Sequence, residues 1–218
     1  MKIKDAFTTG EGHGKLWFMS DLHYNHENVI RFNHRQFPGG VEEMNTYIEQ
    51  ELAEKVGPGD ILFDMGDLFW KTPEDKMKQV IKLASPKAWY KVLGNHDKWD
   101  VYRKSYVGSM FTLVSDLLEI SVNYEGKAYK IVMCHYPMMT WRDKQRGSFG
   151  VFGHTHGNLD SLNDKLPDLR VDVGFDGALA KKVGSFLISF EDILGHMKEK
   201  AGGTLDFMSY VQANCTEL

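Results

Sequence analysis

The feature that most constrains this chain is an alternation of two hydrophobic periods. Runs at 15–20, 60–65 and 88–93 are short, continuous and rich in Phe, Trp, Ile and Val, and each ends in a polar cluster, as strands buried on both faces do. Between them the period lengthens. Val41, Met44, Ile48, Leu52 and Val56 recur at three- and four-residue steps with Glu and Gln opposite, and Gly57-Pro58-Gly59 stops the run. A second amphipathic run passes through Met77, Val80, Ile81 and Ala84, with Thr72 as the expected N-cap and Pro73 opening the helix. The first half therefore reads β-α-β-α-β.

The second half is richer in strands. Segments 117–124 and 128–134 flank Glu125-Gly126-Lys127 as a hairpin, and further strands are expected at 149–152, 169–173 and 185–190. Together the halves predict an α/β chain with α+β character, built as two stacked sheets with outer helices. Beyond Glu191 the expectation is a short helix, a break at Gly202-Gly203 and an apolar stretch from Leu205 to Val211 that packs on the core, pairs at a sheet edge or meets a partner. The 218 residues are enough for one sizeable core. Lys and Arg number 26 against 30 Asp and Glu, a net charge of −4, so no stable complex with nucleic acid is expected. Charged residues interrupt every apolar run before bilayer length and the first residues lack a secretion signal, which predicts a soluble cytoplasmic protein with no membrane partner. Cys134 and Cys215 are too few for a disulfide framework and are expected as reduced thiols, Cys134 on the core side of its strand.

The chemistry gathers where the strands end. They run into Ser20-Asp21-Leu22-His23, Gly66-Asp67, Gly94-Asn95-His96-Asp97, His135 and Gly153-His154-Thr155-His156. Ligands of open α/β sheets collect at the carboxyl ends of strands, so these five clusters should converge in space. Asp, Asn and His without Cys is a donor set for hard to borderline divalent metals, and Asp-x-His and His-x-His can share an ion or bracket two. Five of the nine histidines lie in these clusters.

At these residues the sequence resembles the calcineurin-like metallophosphoesterase family, whose blocks occur in order as SDLH, GD, GNHD, an isolated His and GHTH over residues 20–156. SDLHYNHENVIRF, VEEMN and VDVGFDG look like a subgroup of small prokaryotic and phage phosphoesterases. The resemblance implies a four-layer αββα sandwich of two mixed β-sheets, with a dinuclear site between the sheets, in a single domain over 1–218 whose final 195–218 form a C-terminal extension. Carried over by position, it gives one metal Asp21, His23, Asp67 and His156. The second takes Asp67, Asn95, His135 and His154, with Asp67 as the bridge. Where the family often has a further Asp after GD, this chain has Leu68-Phe69-Trp70. The implied cofactors are two divalent ions, manganese foremost, with iron, zinc, nickel or magnesium as alternatives.

Two such ions about 3.5 to 4 Å apart would lower the pKa of a shared water and clamp the oxygens of an in-line displacement at phosphorus, a bridging hydroxide being the attacking group. His96 matches the family's general acid or electrostatic stabiliser, and Asp97 either orients it or caps a following helix. His26, Asn28 and Arg31 follow the first block and are candidate substrate contacts. Tyr136 and Trp141 complete that set. The loop 138–146 mixes Trp141 with three cations and could stack a base, although a solvated loop has the same composition. The expected function is a metal-dependent phosphodiesterase on a nucleotide-like or nucleic-acid-end substrate, because aromatics (Tyr24, Trp70, Trp99, Tyr136, Trp141) outnumber cations near the motifs. The alternatives are a phosphomonoesterase or protein phosphatase with the same site, and a non-catalytic scaffold on the same fold. The oligomeric state stays open.

Overall fold

The structure is a computed structural model that describes residues 1–202. In chain order its elements are β1 (Phe7–Thr8), β2 (Leu16–Met19), α1 (Glu27–Phe32), α2 (Val41–Lys55), β3 (Ile61–Asp64), α3 (Glu74–Leu83), β4 (Ala88–Val92), α4 (Trp99–Lys104) and β5 (Leu113–Ser115). The second half adds β6 (Leu117–Tyr124), β7 (Lys127–Cys134), β8 (Phe149–Phe152), α5 (Asp160–Lys165), β9 (Arg170–Asp172), α6 (Ala178–Val183), β10 (Ile188–Ser189) and α7 (Phe190–Lys200).

The strands form two five-stranded sheets, ordered β10-β2-β3-β4-β5 and β1-β6-β7-β8-β9. β2 to β5 run parallel, and β10 closes their edge antiparallel to β2. In the other sheet β6 and β7 form an antiparallel hairpin, while β8 and β9 follow in parallel. The two inner faces share one core: Leu16, Phe18, Phe63, Met65 and Val92 meet Leu118, Ile120, Ile131, Met133, Phe149 and Val151. On the outer face of the first sheet, Trp17, Met19, Leu62 and Trp89 pack against Met44, Ile48 and Leu52 of α2 and Met77, Val80 and Ile81 of α3. The buried residues of α2 keep the spacing that predicted the helix. Two mixed sheets flanked by helices is the expected fold class.

Several boundaries move for local reasons. The hairpin turn is Glu125-Gly126 alone, both with positive φ (48° and 75°), and Lys127 pairs with Tyr124; this left-handed pair is the two-residue turn whose twist matches its strands. Pro73 is the N-cap of α3, and Thr72 does not cap it, because its hydroxyl donates to the carbonyls of Trp70 (3.1 Å) and Tyr24 (3.3 Å). The strand expected at 185–190 shrinks to Ile188–Ser189, since Ser189 and Asp192 form a capping box that starts α7 at Phe190. Cys134 ends β7 half-buried rather than in the core. The apolar stretch 205–211 and most of the extension expected at 195–218 lie outside the described residues.

Candidate metal centre

Each parallel strand stops where its sequence turns polar, and there the backbone bends sharply. Asp21 (φ 57°), His23 (52°), Asp67 (56°), His154 (69°) and His156 (49°) all adopt the left-handed conformation, which costs an L-residue about 1 to 2 kcal/mol. Cross-links between loops hold it. Asp21 N donates to Gly66 O and His23 N to Asp67 O, each at 3.0 Å, and His154 N donates to Asp21 Oδ2 at 2.7 Å. The last bond joins the two sheets. It requires glycine at 153, where a Cβ would lie 2.0 Å from Ser20 Oγ and 2.3 Å from Asp21 Oδ2.

The predicted ligand residues converge. His23 Nε2 lies 4.0 Å from both Asp21 Oδ1 and Asp67 Oδ2, and His156 Nε2 lies 4.0 Å from Asp21 Oδ1. Two ligands bonded to one ion at about 2.1 Å stand at most about 4.2 Å apart, so these separations suit a shared cation. On the other side of Asp67, His135 Nε2 is 3.5 Å from its Oδ2 and 3.0 Å from Asn95 Oδ1, and His154 Nδ1 is 2.8 Å from Asn95 Oδ1.

The buried atoms fit a metal. Asp21 Oδ1 and both ring nitrogens of His23 are buried without a hydrogen-bond partner, an arrangement that costs free energy unless a cation fills it. Burial pushes Asp21 up to about 8, and Asp172 and Asp67 add to the rise. Burial, with help from His156 and Arg35, holds His23 down to about 2, and burial holds His135 down to about 4. Neutral imidazoles are the protonation state that divalent ions select, and a carboxyl that burial leaves short of positive charge is one that a cation would return to its ionised form. His135 Nδ1 lies 2.8 Å from the Met65 carbonyl, which fixes the proton there and leaves Nε2 a lone pair facing Asp67.

Around these residues lies a shell that sequence reasoning missed. His156 Nδ1 is 2.7 Å from Asp176 Oδ2 and 3.0 Å from Asn33 Nδ2. Asp176 in turn accepts both ends of the Arg35 fork at 2.8 Å, and Arg35 also donates to the Asp21 and Leu22 carbonyls. Burial opposes the charge on Asp176, yet His156 and Arg35 hold its pKa below the usual carboxylate value. Beneath Asp67, Lys91 is fully buried between Asp64 (2.8 Å) and Asp97 (3.0 Å). The legible signals were Lys91 inside a strand, since a buried charge demands partners, and Asp176 within VDVGFDG. Arg35 and Asn33 carried none.

The other predicted residues separate. His96 donates its backbone N–H to Asp67 Oδ1 at 2.8 Å, while its ring, 37% exposed, reaches within 3.9 Å of Asp67 Oδ2. Asp97 neither orients His96 nor caps α4, whose N-cap is Lys98; its Oδ2 accepts from Asp67 N and Gly94 N and so fixes the loop that carries Asp67. His26 stacks on Trp70 at 4.1 Å and stands 5.4 Å from His23, ring to ring. Tyr136 is exposed, its ring 4.8 Å from His154. Asn28 is exposed on α1, and the exposed Arg31 covers the Phe32 ring. Trp141 is not at the rim. It is 8% exposed, donates to Ser148 Oγ at 3.0 Å and lies on Gly150, under Arg170. The loop's cations are spent on Glu119, Asp168 and Asp143. Tyr24 is likewise core.

The sequence model of the calcineurin-like phosphoesterase family matches residues 14–175, the stretch that contains all these strand ends. The chain belongs to the calcineurin-like phosphoesterases. It is accordingly a metal-dependent hydrolase of phosphoester bonds. The uncharacterized protein MJ1445 of Methanocaldococcus jannaschii is 29% identical over 164 residues, 73% of this chain and 81% of that protein. The gene 66 protein of Mycobacterium phage D29 is 23% identical over 179 residues, 74% and 87% of the respective chains. A solved protein of unknown function, AQ665 from Aquifex aeolicus, shares the fold with a TM-score of 0.61 at 22% identity, over 84% of this phosphoesterase and 100% of that chain. No helix among the described residues is long and apolar enough to cross a membrane.

Proposed function

We propose that this phosphoesterase is a dinuclear phosphodiesterase acting on nucleotide-like substrates. The observation that carries the dinuclear reading is the position of Asp67, whose Oδ2 lies 4.0 Å from His23 Nε2 and 3.5 Å from His135 Nε2, within reach of a histidine from each proposed ligand set. Asp21, His23, Asp67 and His156 would hold one ion, and Asp67, Asn95, His135 and His154 the second. When bound, the pair supplies Lewis acidity toward the phosphoryl oxygens and activates water for in-line attack, manganese being the ion we assign.

The chain's own groups do the rest. As the new bond to phosphorus forms and the old one breaks, the departing oxygen needs a proton, and the half-exposed His96 ring beside Asp67 is placed to give it. Asp176 and Arg35 keep His156 oriented. The diester reading rests on what rims the cluster. Trp70 lies 4.7 Å from His96 and Tyr136 4.8 Å from His154, ring to ring, which puts aromatic surface beside two of the cluster's histidines. Arg35, the guanidinium bonded into the cluster, is consumed by Asp176 and backbone carbonyls, so among the described residues the cluster offers no free guanidinium to the second negative charge of a monoester. A panel of bis-p-nitrophenyl phosphate, p-nitrophenyl phosphate and cyclic nucleotides with Mn, Ni, Mg and Zn tests this. We expect kcat/KM for the diester to exceed that for the monoester; a clear monoester preference makes the protein a phosphatase.

A further inference from the structure

A cleft of about 410 Å³ opens beside His96, between α3 and α4. The reaction as derived does not use it. Its floor is apolar: Phe69, Met77 and Tyr102 are each at most 6% exposed. Its mouth carries Lys71 and Lys98, both exposed and neither with a carboxylate partner among the described residues. That sets them apart from lysines such as Lys55, Lys76, Lys78 and Lys104, which are all ion-paired. Glu74 is the one acid in the lining.

Lys71 is also held in an unfavourable backbone. Its φ is 45°, a cost that persists only where surrounding structure enforces it. Trp70 N donates to Tyr24 O at 2.9 Å just before it, in the bridge that pins Phe69 to Tyr24. The Lys71 ammonium lies 5.4 Å from the centre of the Trp70 ring, which in turn stands 4.7 Å from the His96 ring in a T-shaped pair. An apolar floor and two cations without carboxylate partners thus adjoin the ring that serves the departing oxygen.

We propose that this cleft receives the leaving-group arm of the diester, and that the arm is a nucleoside bearing a second phosphate, held by Lys71 and Lys98. This rests on the phosphodiesterase reading above. His96 lines the cleft and faces Asp67, so the oxygen it protonates has its organic substituent on this side. The volume lies in the ordinary range for small-ligand sites, the floor with Phe69 and Tyr102 suits a base and sugar, and the lysines suit a phosphate.

The test compares thymidylyl-thymidine with the same dinucleotide carrying a terminal 5′- or 3′-phosphate, on the metal-loaded full-length protein. One of the two phosphorylated forms should be preferred about tenfold in kcat/KM, mainly through KM. The double variant Lys71→Gln/Lys98→Gln should bring that ratio close to one, while Lys182→Gln, whose partner is Glu199 on the protein surface, should preserve it. Equal rates for all three dinucleotides, or a preference that survives the double variant, overturns the proposal. Calorimetry keeps the cleft and the reaction separable. Thymidine 3′,5′-bisphosphate should bind about tenfold more weakly to the double variant with inorganic phosphate binding unaltered. If no diester is hydrolysed, the phosphodiesterase reading fails, and lysine-dependent bisphosphate binding alone still supports the cleft; lysine-independent binding removes it.

Discussion

At the scale of single residues, Asp67 is asked to do two things at once. Its Oδ1 accepts from the backbone of His96 at 2.8 Å, and its Oδ2 faces three imidazoles at 3.5 to 4.0 Å. Asp67→Asn keeps the size and the first bond but replaces the second oxygen with an NH2 group that offers no lone pair to a cation. The variant should lose activity and bind less than two equivalents of metal by elemental analysis; full occupancy with full activity would remove the bridge. His96 is a different kind of residue, because its ring makes no bond that a ligand would need. His96→Ala should retain both metals and slow turnover by ~10² to 10⁴-fold, with a smaller loss for nitrophenolate leaving groups that need no proton. Equal losses for good and poor leaving groups would take the role away. All seven ligand candidates were legible in the sequence because donor type and position at a strand end are local properties. The supporting contacts were not, since Arg35 touches Asp176 across 141 positions of sequence, and although Asp176 stands in a recognisable motif nothing local marks the two as a pair.

Elements show where composition misled. The loop after β7 has the aromatic and cations of a nucleotide contact, but a sequence does not reveal whether a ring is turned outward. Trp141 turns inward because β8 offers it Gly150, where a Cβ would stand 3.0 Å from the indole, and because Ser148 accepts its N–H. The clasp on this loop is Asp168, buried just before β9, which accepts from both Arg170 and Lys144. Burial opposes its charge, yet those two cations hold its pKa below the usual 3.8. A carboxylate depressed in the folded state stabilises above its unfolded pKa and ceases to do so as pH falls through the folded value. Asp168→Asn should therefore lower stability at pH 7 by something like 3 kcal/mol. In thermal melts the gap between variant and parent should begin to narrow as the pH drops below about 4 and close only as it falls through the lower folded-state value. A gap independent of pH would mean that packing, not charge, holds the loop.

At the scale of the whole molecule, the two halves inferred from the sequence are not separate layers. β1, from the N-terminal half, pairs with β6, and β10, from the C-terminal half, pairs with β2, so each sheet borrows an edge strand from the other half of the chain. Both borrowed strands are two residues long, too short for any periodic signal, which is why the exchange was illegible although the alternation of strand and helix was plain. The candidate centre repeats this division. Asp21, His23, Asp67 and Asn95 follow β2, β3 and β4 of one sheet, and His135, His154 and His156 follow β7 and β8 of the other. Ions bound there tie the sheets together and bind only the native arrangement, so they stabilise it by mass action, about 2.7 kcal/mol at a hundredfold excess over Kd. For a chain of this length that is a rise of roughly 5 to 10 °C in Tm. Adding manganese to chelator-treated protein should produce such a rise, and Asp67→Asn, which lowers affinity on both sides of the bridge, should lose most of it. Because the centre spans the sheets, near- and far-ultraviolet signals should shift together. An equal rise in the variant would show that the stabilising ion sits elsewhere, and a rise confined to the near-ultraviolet signal would show that the centre does not tie the two sheets into one cooperative unit.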